Sequence, residues 1–157
     1  VFAIPAGILA SGFAREIRKR EFIITWQLVA ANPIFSKLDA LHVSEVANLL
    51  HHKSVPPNFT IVQKRDPADS MYFIANGEVA VQAPGGAVRL GKGDFFGEIA
   101  ILTASTRTAT VVSLTECDLL YLLVEDFEHL LSADPDLKDV LSKAMKERLE
   151  QLEHAHS

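Results

Sequence analysis

Apolar residues follow two different periods along the chain, and the changes between them divide the sequence into three parts. Residues 1–32 and about 40–50 place apolar side chains at the 3.6-residue spacing of helices. From Phe59 to Leu123 the pattern becomes short runs rich in β-branched and aromatic residues, separated by glycine and proline turns. Helical spacing returns at Glu125. The pattern therefore predicts helices, then β-structure, then helices.

The β-rich part predicts an antiparallel β-roll, because evenly spaced short strands joined by tight turns are typical of barrels and jelly rolls. Around Gly97 a single helical turn interrupts the strand pattern. The predicted fold class is α+β, a jelly-roll-like β-roll with this short helix inserted, flanked by N-terminal helices and two C-terminal helices. The predicted strands lie at residues 60–62, 71–74, 78–81, 87–90, 108–112 and 119–123.

The last predicted helix has a clear start and a long apolar face. Asp134 is a preferred N-cap residue, and Pro135 suits the first helical position. We expect the helix to reach about residue 152 and residues 153–157 to form a frayed tail. Arg148 lies at helical spacing within an apolar stripe that consists of Leu137, Leu141, Ala144, Met145 and Leu152.

The composition is that of an ordinary globular domain and narrows the choice of partners. The 157 residues, 48 % of them hydrophobic, suffice for one domain with a core. A net charge of −5 provides no basic field for nucleic acid, so an anionic ligand must be bound by local groups. Cys117 is the only cysteine, which excludes an internal disulfide and favours a reducing compartment.

The sequence contains no motif that is typical of a catalytic site or of a metal site. There is no Gly-x-Ser-x-Gly, no Walker loop and no Cys–His arrangement in a catalytic context. We interpret His51, His52, His154 and His156 as residues of solvated helix ends, because no cysteine or carboxylate array stands at ligand spacing. A metal enzyme built on a β-roll would need histidines on its strands, which this prediction does not provide. The sequence therefore indicates a binding protein without a metal, and not an enzyme.

The N-terminal residues form a short apolar run followed by basic residues. Residues 1–14 are fewer than the roughly 20 apolar residues of a spanning helix. Basic residues of the kind that flank a membrane helix on its cytoplasmic side follow, at Arg15, Arg18, Lys19 and Arg20. We interpret 1–20 as the end of a transmembrane helix and 21–32 as a helical linker to a domain at 33–152. The alternative is an amphipathic N-terminal helix of a soluble protein.

Groups suited to a phosphate and a sugar hydroxyl are concentrated in one stretch of the β-rich part. Gly97 allows close approach of the backbone, and the N–H groups from Glu98 to Ala100 at the start of the short helix can hold an anion. Arg107 adds a planar fork of donors for phosphate, and Thr108 adds a hydroxyl. The carboxylate of Glu98 can accept from a sugar hydroxyl. Together these groups predict a nucleotide ligand.

Two motifs frame this stretch: Phe-Gly-Glu-x-Ala-x-Leu from Phe96 to Leu102, and Arg-Thr-Ala-Thr-Val from Arg107 to Val111. Together they resemble the phosphate-binding cassette of cyclic-nucleotide-binding domains, and the resemblance extends over about residues 33–150. It implies cyclic AMP or cyclic GMP as the ligand. It places the cyclic phosphate on Arg107 and the ribose 2′-hydroxyl on Glu98. Further contacts are implied for Gly97, Ile99, Thr108 and Ala109.

The resemblance also implies a lid at the base end of the site. In that family the last helix closes over the purine, which places Arg148 against the base. Val81 and Leu90, on neighbouring predicted strands, are candidates for apolar walls. Thr106 stands where the family often has proline, which bears on affinity. Simpler interpretations remain open, namely a structural Glu98–Arg107 ion pair, a surface position for Arg148 and an ordinary strand position for Thr108.

Residues before the cassette resemble part of a channel. Ile4 to Phe13 is similar to the intracellular end of the pore-lining helix of voltage-gated-type potassium channels. Phe22 to Phe35 resembles the helical linker of bacterial cyclic-nucleotide-gated potassium channels. The combination implies that lid closure gates a potassium-type channel at the cytoplasmic face of the inner membrane, with this fragment largely soluble. The implied partners are the rest of the channel chain, sister subunits in a homotetramer, and the membrane through the N-terminal helix.

Other classes of protein use the same ligand with a different output. A transcription regulator needs a helix-turn-helix after the last helix, and a kinase regulatory subunit needs an inhibitory arm and usually a second domain. Neither class accounts for the residues from Ile4 to Phe13. A further alternative is a β-roll interaction module without a ligand, for which nucleotide gives no thermal shift.

Overall fold

Two antiparallel sheets and five helices make up residues 25–83, 85–103 and 105–155, the part of the chain that the computed structural model describes. The helices are α1 (25–31), α2 (Ala40–Ala47), α3 (Ile99–Leu102), α4 (Val124–Ala133) and α5 (Pro135–Ala155). The strands are β1 (His51–Val55), β2 (Thr60–Val62), β3 (Ser70–Asn76), β4 (Val79–Ala83), β5 (Gly86–Leu90), β6 (Phe95–Phe96), β7 (Thr110–Ser113) and β8 (Cys117–Leu123).

The two sheets are not closed into a barrel. The first has the strand order β1-β8-β3-β6 and the second the order β2-β7-β4-β5, with every neighbouring pair antiparallel. The predicted α+β class, with antiparallel β-structure and a short helix inserted before β7, is confirmed. Asp134 caps α5 as predicted, because its Oδ1 accepts a hydrogen bond from the Leu137 N–H at 3.2 Å.

The two central strands of the first sheet, β3 and β8, are largely buried on both faces, with the helices on one side and the second sheet on the other. Along β3, Met71 and Phe73 belong to the core shared with the helices, whereas Tyr72 and Ile74 belong to the core between the sheets. This alternation follows from the two-residue period of a strand. The helical core contains α5 through Leu137 and Leu141, so the last helix is part of the fold throughout its first half.

All the predicted strands are present, and two further strands were missed. β6 has only two residues. β1 was missed because its residues are mostly polar and exposed, without the alternation that indicates a strand. The interpretation of His51 and His52 as helix-end residues is therefore wrong. α2 ends at Ala47, and these histidines pair with Tyr121 and Leu120 of β8.

The ends of the chain are described only in part. The predicted membrane segment 1–20 lies outside the described residues. Of the predicted linker 21–32, residues 25–32 are described, and 25–31 are helical. Within the described part of the chain, no helix combines the length and hydropathy needed to cross a membrane. α5 continues to Ala155, beyond the expected end near residue 152, because residues such as glutamate, glutamine and alanine favour helix.

Candidate functional site

A cavity of about 440 Å³ is lined by α3, the loop after it and strands of the second sheet. Most of the predicted site residues line this cleft, namely Val81, Gly97, Glu98, Ile99, Ala100, Arg107, Thr108 and Ala109. Other residues of its lining were not predicted, namely Val62, Ala68, Ala83, Phe95, Phe96, Thr106 and Val111. An apolar wall with few polar groups is the usual make-up of a small-molecule site, in which the polar groups fix the ligand's orientation.

The guanidinium of Arg107 is the positive group of the cleft, and it is held firmly. The residue is 7 % exposed. Its Nη1 donates to the backbone oxygen of Ser70 at 2.7 Å, and its Nη2 donates to Ser70 Oγ at 3.1 Å and Asp69 Oδ1 at 3.3 Å. An arginine has N–H donors on Nε, Nη1 and Nη2. Among the described residues, no acceptor is bonded to Nε–H or to the second Nη1–H, so these donors are free for a ligand.

The backbone on either side of Arg107 is fixed by the loop that precedes β3. The backbone N–H of Arg107 donates to the backbone oxygen of Asp66 at 2.8 Å, and the backbone N–H of Arg65 donates to the backbone oxygen of Arg107 at 2.9 Å. Asp69 at the end of this loop and Ser70 at the start of β3 bind the guanidinium. These two residues could not be predicted from the sequence, since nothing local links them to a cassette 37 or 38 positions later.

Burial lowers the pKa of Arg107 below its ordinary value, and Tyr72, Asp69 and Asp66 act in the opposite direction. The guanidinium lies over the Tyr72 ring, with its carbon 5.9 Å from the ring centroid. The ordinary pKa of an arginine side chain is so high that the side chain keeps its charge at neutral pH. The cleft therefore contains a buried cation with unused donors.

Gly97 stands directly against this cation. Its φ of +78° is in the left-handed region, which favours glycine. A Cβ at this position would lie 2.7 Å from Nη1 of Arg107 and 3.2 Å from the backbone oxygen of Ser70. A glycine is therefore favoured at position 97 for two reasons. It adopts the left-handed backbone conformation without strain, and it leaves room for the guanidinium of Arg107 next to the backbone.

α3 is one turn long and is anchored by its buried side chains. Ala100 and Ile101 are buried, and the Thr103 N–H closes the turn by donating to the oxygen of Ile99 at 2.8 Å. The Ala100 N–H already donates to the oxygen of Gly97 at 3.1 Å. Among the N–H groups from Glu98 to Ala100 that were expected to face an anion, that of Ala100 is thus engaged within the turn.

Glu98 pairs with Arg148 of α5, and not with Arg107. Nε of Arg148 donates to Oε1 and Oε2 of Glu98 at 3.2 and 3.1 Å, and Nη2 donates to Oε1 at 2.8 Å. The guanidinium carbon also lies 5.9 Å from the centroid of the Phe95 ring. The side chains of Arg148 and Glu98 are 22 % and 12 % exposed. The alternatives of a Glu98–Arg107 ion pair and of a surface position for Arg148 are therefore wrong.

Two of the predicted site residues do not line the cleft. Leu90 pairs with Val79 at the end of the β4–β5 hairpin and packs against the core between the sheets. Val81 does line the cleft, and its partner on β5 is Val88, not Leu90. Arg148 reaches the cleft only through its contact with Glu98. Thr108, which was predicted to bind the ligand, is exposed at the cleft.

The chain matches the family model for the cyclic nucleotide-binding domain over residues 52–134. It is 42 % identical over 148 residues to a protein described as a cyclic nucleotide-gated potassium channel from Rhizobium etli. That alignment covers 94 % of this chain and 42 % of the channel, so the chain spans less than half the length of this relative.

Two solved structures share the fold. One is the N-terminal domain of a transcriptional regulator from Streptomyces coelicolor, with a TM-score of 0.72 and 26 % identity, over 83 % of this chain and 95 % of that one. The other is the regulatory domain of the Toxoplasma gondii protein kinase PKA in complex with cAMP, with a TM-score of 0.64 and 23 % identity, over 84 % of this chain and 52 % of that one.

Proposed function

The chain belongs to the cyclic nucleotide-binding domain family, and from this premise we propose that its cleft binds cyclic AMP as a regulatory ligand. The family is one of binding domains and not of enzymes. The observation that carries the proposal is the buried guanidinium of Arg107, which lines a cleft with mostly apolar walls and has donors without a partner among the described residues. A buried cation in such a cleft favours a small anion with an apolar body.

The free donors of Arg107 suit a cyclic phosphodiester. Such a group carries a single negative charge on two exocyclic oxygens, and a hydrogen bond from a charged guanidinium N–H to such an oxygen is shorter and stronger than one between neutral groups. Ser70 and Asp69 hold the remaining donors. The Nε–H and the free Nη1–H point to different edges of the guanidinium, so we propose that one of them donates to one oxygen of the phosphate.

The carboxylate of Glu98 is proposed to accept the ribose 2′-hydroxyl while it keeps its contact with Arg148. A carboxylate has about four lone-pair sites. Arg148 occupies up to three of them. The remaining site suffices for one hydroxyl, so that the ligand and α5 share the same residue. Closure of α5 over the base is then linked to ligand binding through Glu98.

We propose cyclic AMP and not cyclic GMP as the preferred ligand. The support comes from the similarity to the kinase regulatory domain, whose structure contains cAMP. Thr108 at the edge of the cleft supplies an exposed hydroxyl, which the family resemblance associates with cyclic GMP. Measured affinities for cyclic AMP and cyclic GMP decide which of the two nucleotides is preferred.

We further propose that the domain regulates a potassium channel made of sister copies of a longer chain, with the membrane reached through its N-terminal residues. The support is the 42 % identity to a channel of this description over almost the whole chain. A ligand shifts a conformational equilibrium only by its differential affinity for the two states. In this proposal the state with α5 closed binds cyclic AMP more tightly.

We expect the gene's complete product, reconstituted in liposomes, to show potassium flux that depends on cyclic AMP. Arg148→Ala should shift this dependence to about three- to tenfold higher nucleotide concentration, because the variant loses the link between Glu98 and α5. The measurement is flux against nucleotide concentration. Lys146→Ala, an exposed change nearby on the same helix, is the matched control and should respond like wild type.

Nucleotide binding without any dependent flux would remove the channel proposal and leave the binding proposal intact. In that case the Streptomyces coelicolor match favours a second candidate, a ligand-sensing domain of a transcriptional regulator, because the chain covers 95 % of that domain.

A further inference from the structure

A second group of polar side chains lies where α2 meets the junction of α4 and α5, and none of its members lines the cleft. His42 and Glu45 are three positions apart on α2 and therefore share a face of that helix. Asp134 follows α4 and caps α5. One nitrogen of His42 and one carboxylate oxygen from each acidic residue all lie within 4.8 Å of one another, and all three residues are half-buried.

The group contains more acceptors than donors. Nδ1 of His42 lies 3.1 Å from Oδ1 of Asp39, which fixes the proton of a neutral imidazole on Nδ1. Nε2 then presents a lone pair to Oδ2 of Asp134 at 3.3 Å. Glu45 adds a further negative charge, and its Oε2 is buried without a hydrogen-bond partner among the described residues. Buried oxygens are nearly always paired, so this group calls for a cation.

An imidazolium at His42 satisfies the group less well than a metal ion. A protonated ring donates to Asp39 and Asp134 with its two nitrogens. Both donors are then used, and Oε2 of Glu45 still lacks a partner. A divalent ion contacts the carboxylate of Glu45 together with the other two ligands.

The distances and ligand types suit zinc. Two ligands about 2.1 Å from a tetrahedral zinc ion are about 3.4 Å apart. Nε2 of His42 and Oδ2 of Asp134 are 3.3 Å apart. A carboxylate on the second nitrogen, as Asp39 provides here, is the usual partner of a metal-bound histidine. Imidazole with carboxylates suits zinc and its neighbours better than magnesium or calcium.

We propose that His42, Glu45 and Asp134 bind a divalent transition metal ion of the zinc class, with Asp39 as the residue that positions His42. Asp134 Oδ1 meanwhile accepts from the Leu137 N–H at 3.2 Å, so the same residue caps α5. The ion therefore joins α2 to the first turn of the helix that carries Arg148. Binding stabilises the helical side of the domain and does not depend on the nucleotide site.

The test is thermal unfolding and calorimetric titration of the chain with ZnCl₂ at neutral pH, without nucleotide. We expect a single site and a rise in Tm of about 5–10 °C at a hundredfold excess over the dissociation constant. Glu45→Gln and His42→Gln should each lose the rise, because each removes one ligand while nearly preserving side-chain size. Asp39→Asn keeps a good N-cap for α2 and should weaken zinc binding by about 10- to 100-fold.

The matched control replaces the other histidines of the chain with glutamine, at His51, His52, His129, His154 and His156. This variant should keep the rise in Tm, since its only remaining histidine is His42. The proposal is overturned if zinc produces no rise in the wild-type chain, if Glu45→Gln binds zinc as tightly as wild type, or if the control variant loses binding. The last result would locate zinc on one or more of the replaced histidines.

Discussion

Replacing Arg107 with alanine is expected to weaken cyclic AMP binding by roughly 30- to 150-fold, which corresponds to about 2–3 kcal/mol. The guanidinium is 7 % exposed and is held by Ser70 and Asp69, so its contact with a phosphate is pre-organised and shielded from water. Calorimetric titration measures the loss. Arg107→Lys keeps the charge without the fork and should give an intermediate affinity.

The loss must be separated from unfolding, because Arg107 also ties the start of β3 to the cassette. We expect a lower Tm for Arg107→Ala, since Ser70 loses two hydrogen bonds from the guanidinium. Binding is therefore measured well below that Tm. Arg89→Ala changes an exposed arginine of β5 outside the cleft and should bind like wild type. An affinity of Arg107→Ala within about threefold of wild type would show that the phosphate lies elsewhere.

Gly97→Ala is expected to weaken nucleotide binding by at least about tenfold and to destabilise the domain by about 1–2 kcal/mol. The destabilisation arises because an alanine at a φ of +78° is strained. The loss of affinity arises because its Cβ would lie 2.7 Å from Nη1 of Arg107, so the guanidinium must move from its position. Titration and thermal unfolding measure the two effects separately.

Gly93→Ala is the matched control for this substitution. Gly93 also has a left-handed φ, of +91°, but apart from its two chain neighbours no residue has a heavy atom within 4 Å of a Cβ placed there. The control should therefore lose similar stability and keep its affinity for nucleotide. Equal affinity for Gly97→Ala and Gly93→Ala would contradict the role given to the contact between Gly97 and Arg107.

Strands with several apolar or β-branched residues could be predicted from the sequence, and a mostly polar strand could not. β3 contributes to both cores, and its run from Met71 to Ile74 is rich in large apolar residues. β1 lies at an edge of its sheet, and its pattern is mostly exposed. Its polar residues are held by backbone pairing with β8, a tertiary interaction that local periodicity does not reveal.

The cassette itself was predictable because its residues are close in sequence and act through local chemistry. Gly97 and Arg107 belong to one loop and its flanks. The partners of this loop were not predictable, because Arg148 meets Glu98 across 50 positions and Ser70 meets Arg107 across 37. Such pairs depend on how helices and loops pack. Leu90 was placed in the cleft because the register of the β4–β5 hairpin could not be known in advance.

The proposed metal site also depends on contacts between residues that are far apart in the sequence. His42 and Glu45 alone are a weak pattern on a helix, and Asp134 joins them only through the packing of α2 against the α4–α5 junction. The sequence therefore indicated no metal site. The juxtaposition of an oriented imidazole with a buried, unpartnered carboxylate oxygen became visible only in the folded chain.

Calorimetric titration of the chain with cyclic AMP, cyclic GMP and linear AMP tests the central claim most directly. The account predicts a single site, with cyclic AMP bound most tightly and linear AMP at least about tenfold more weakly, because the donors of Arg107 suit a singly charged cyclic phosphate. The absence of heat and of any thermal shift with all three nucleotides would contradict it, and the fold would then be that of an interaction module without this ligand.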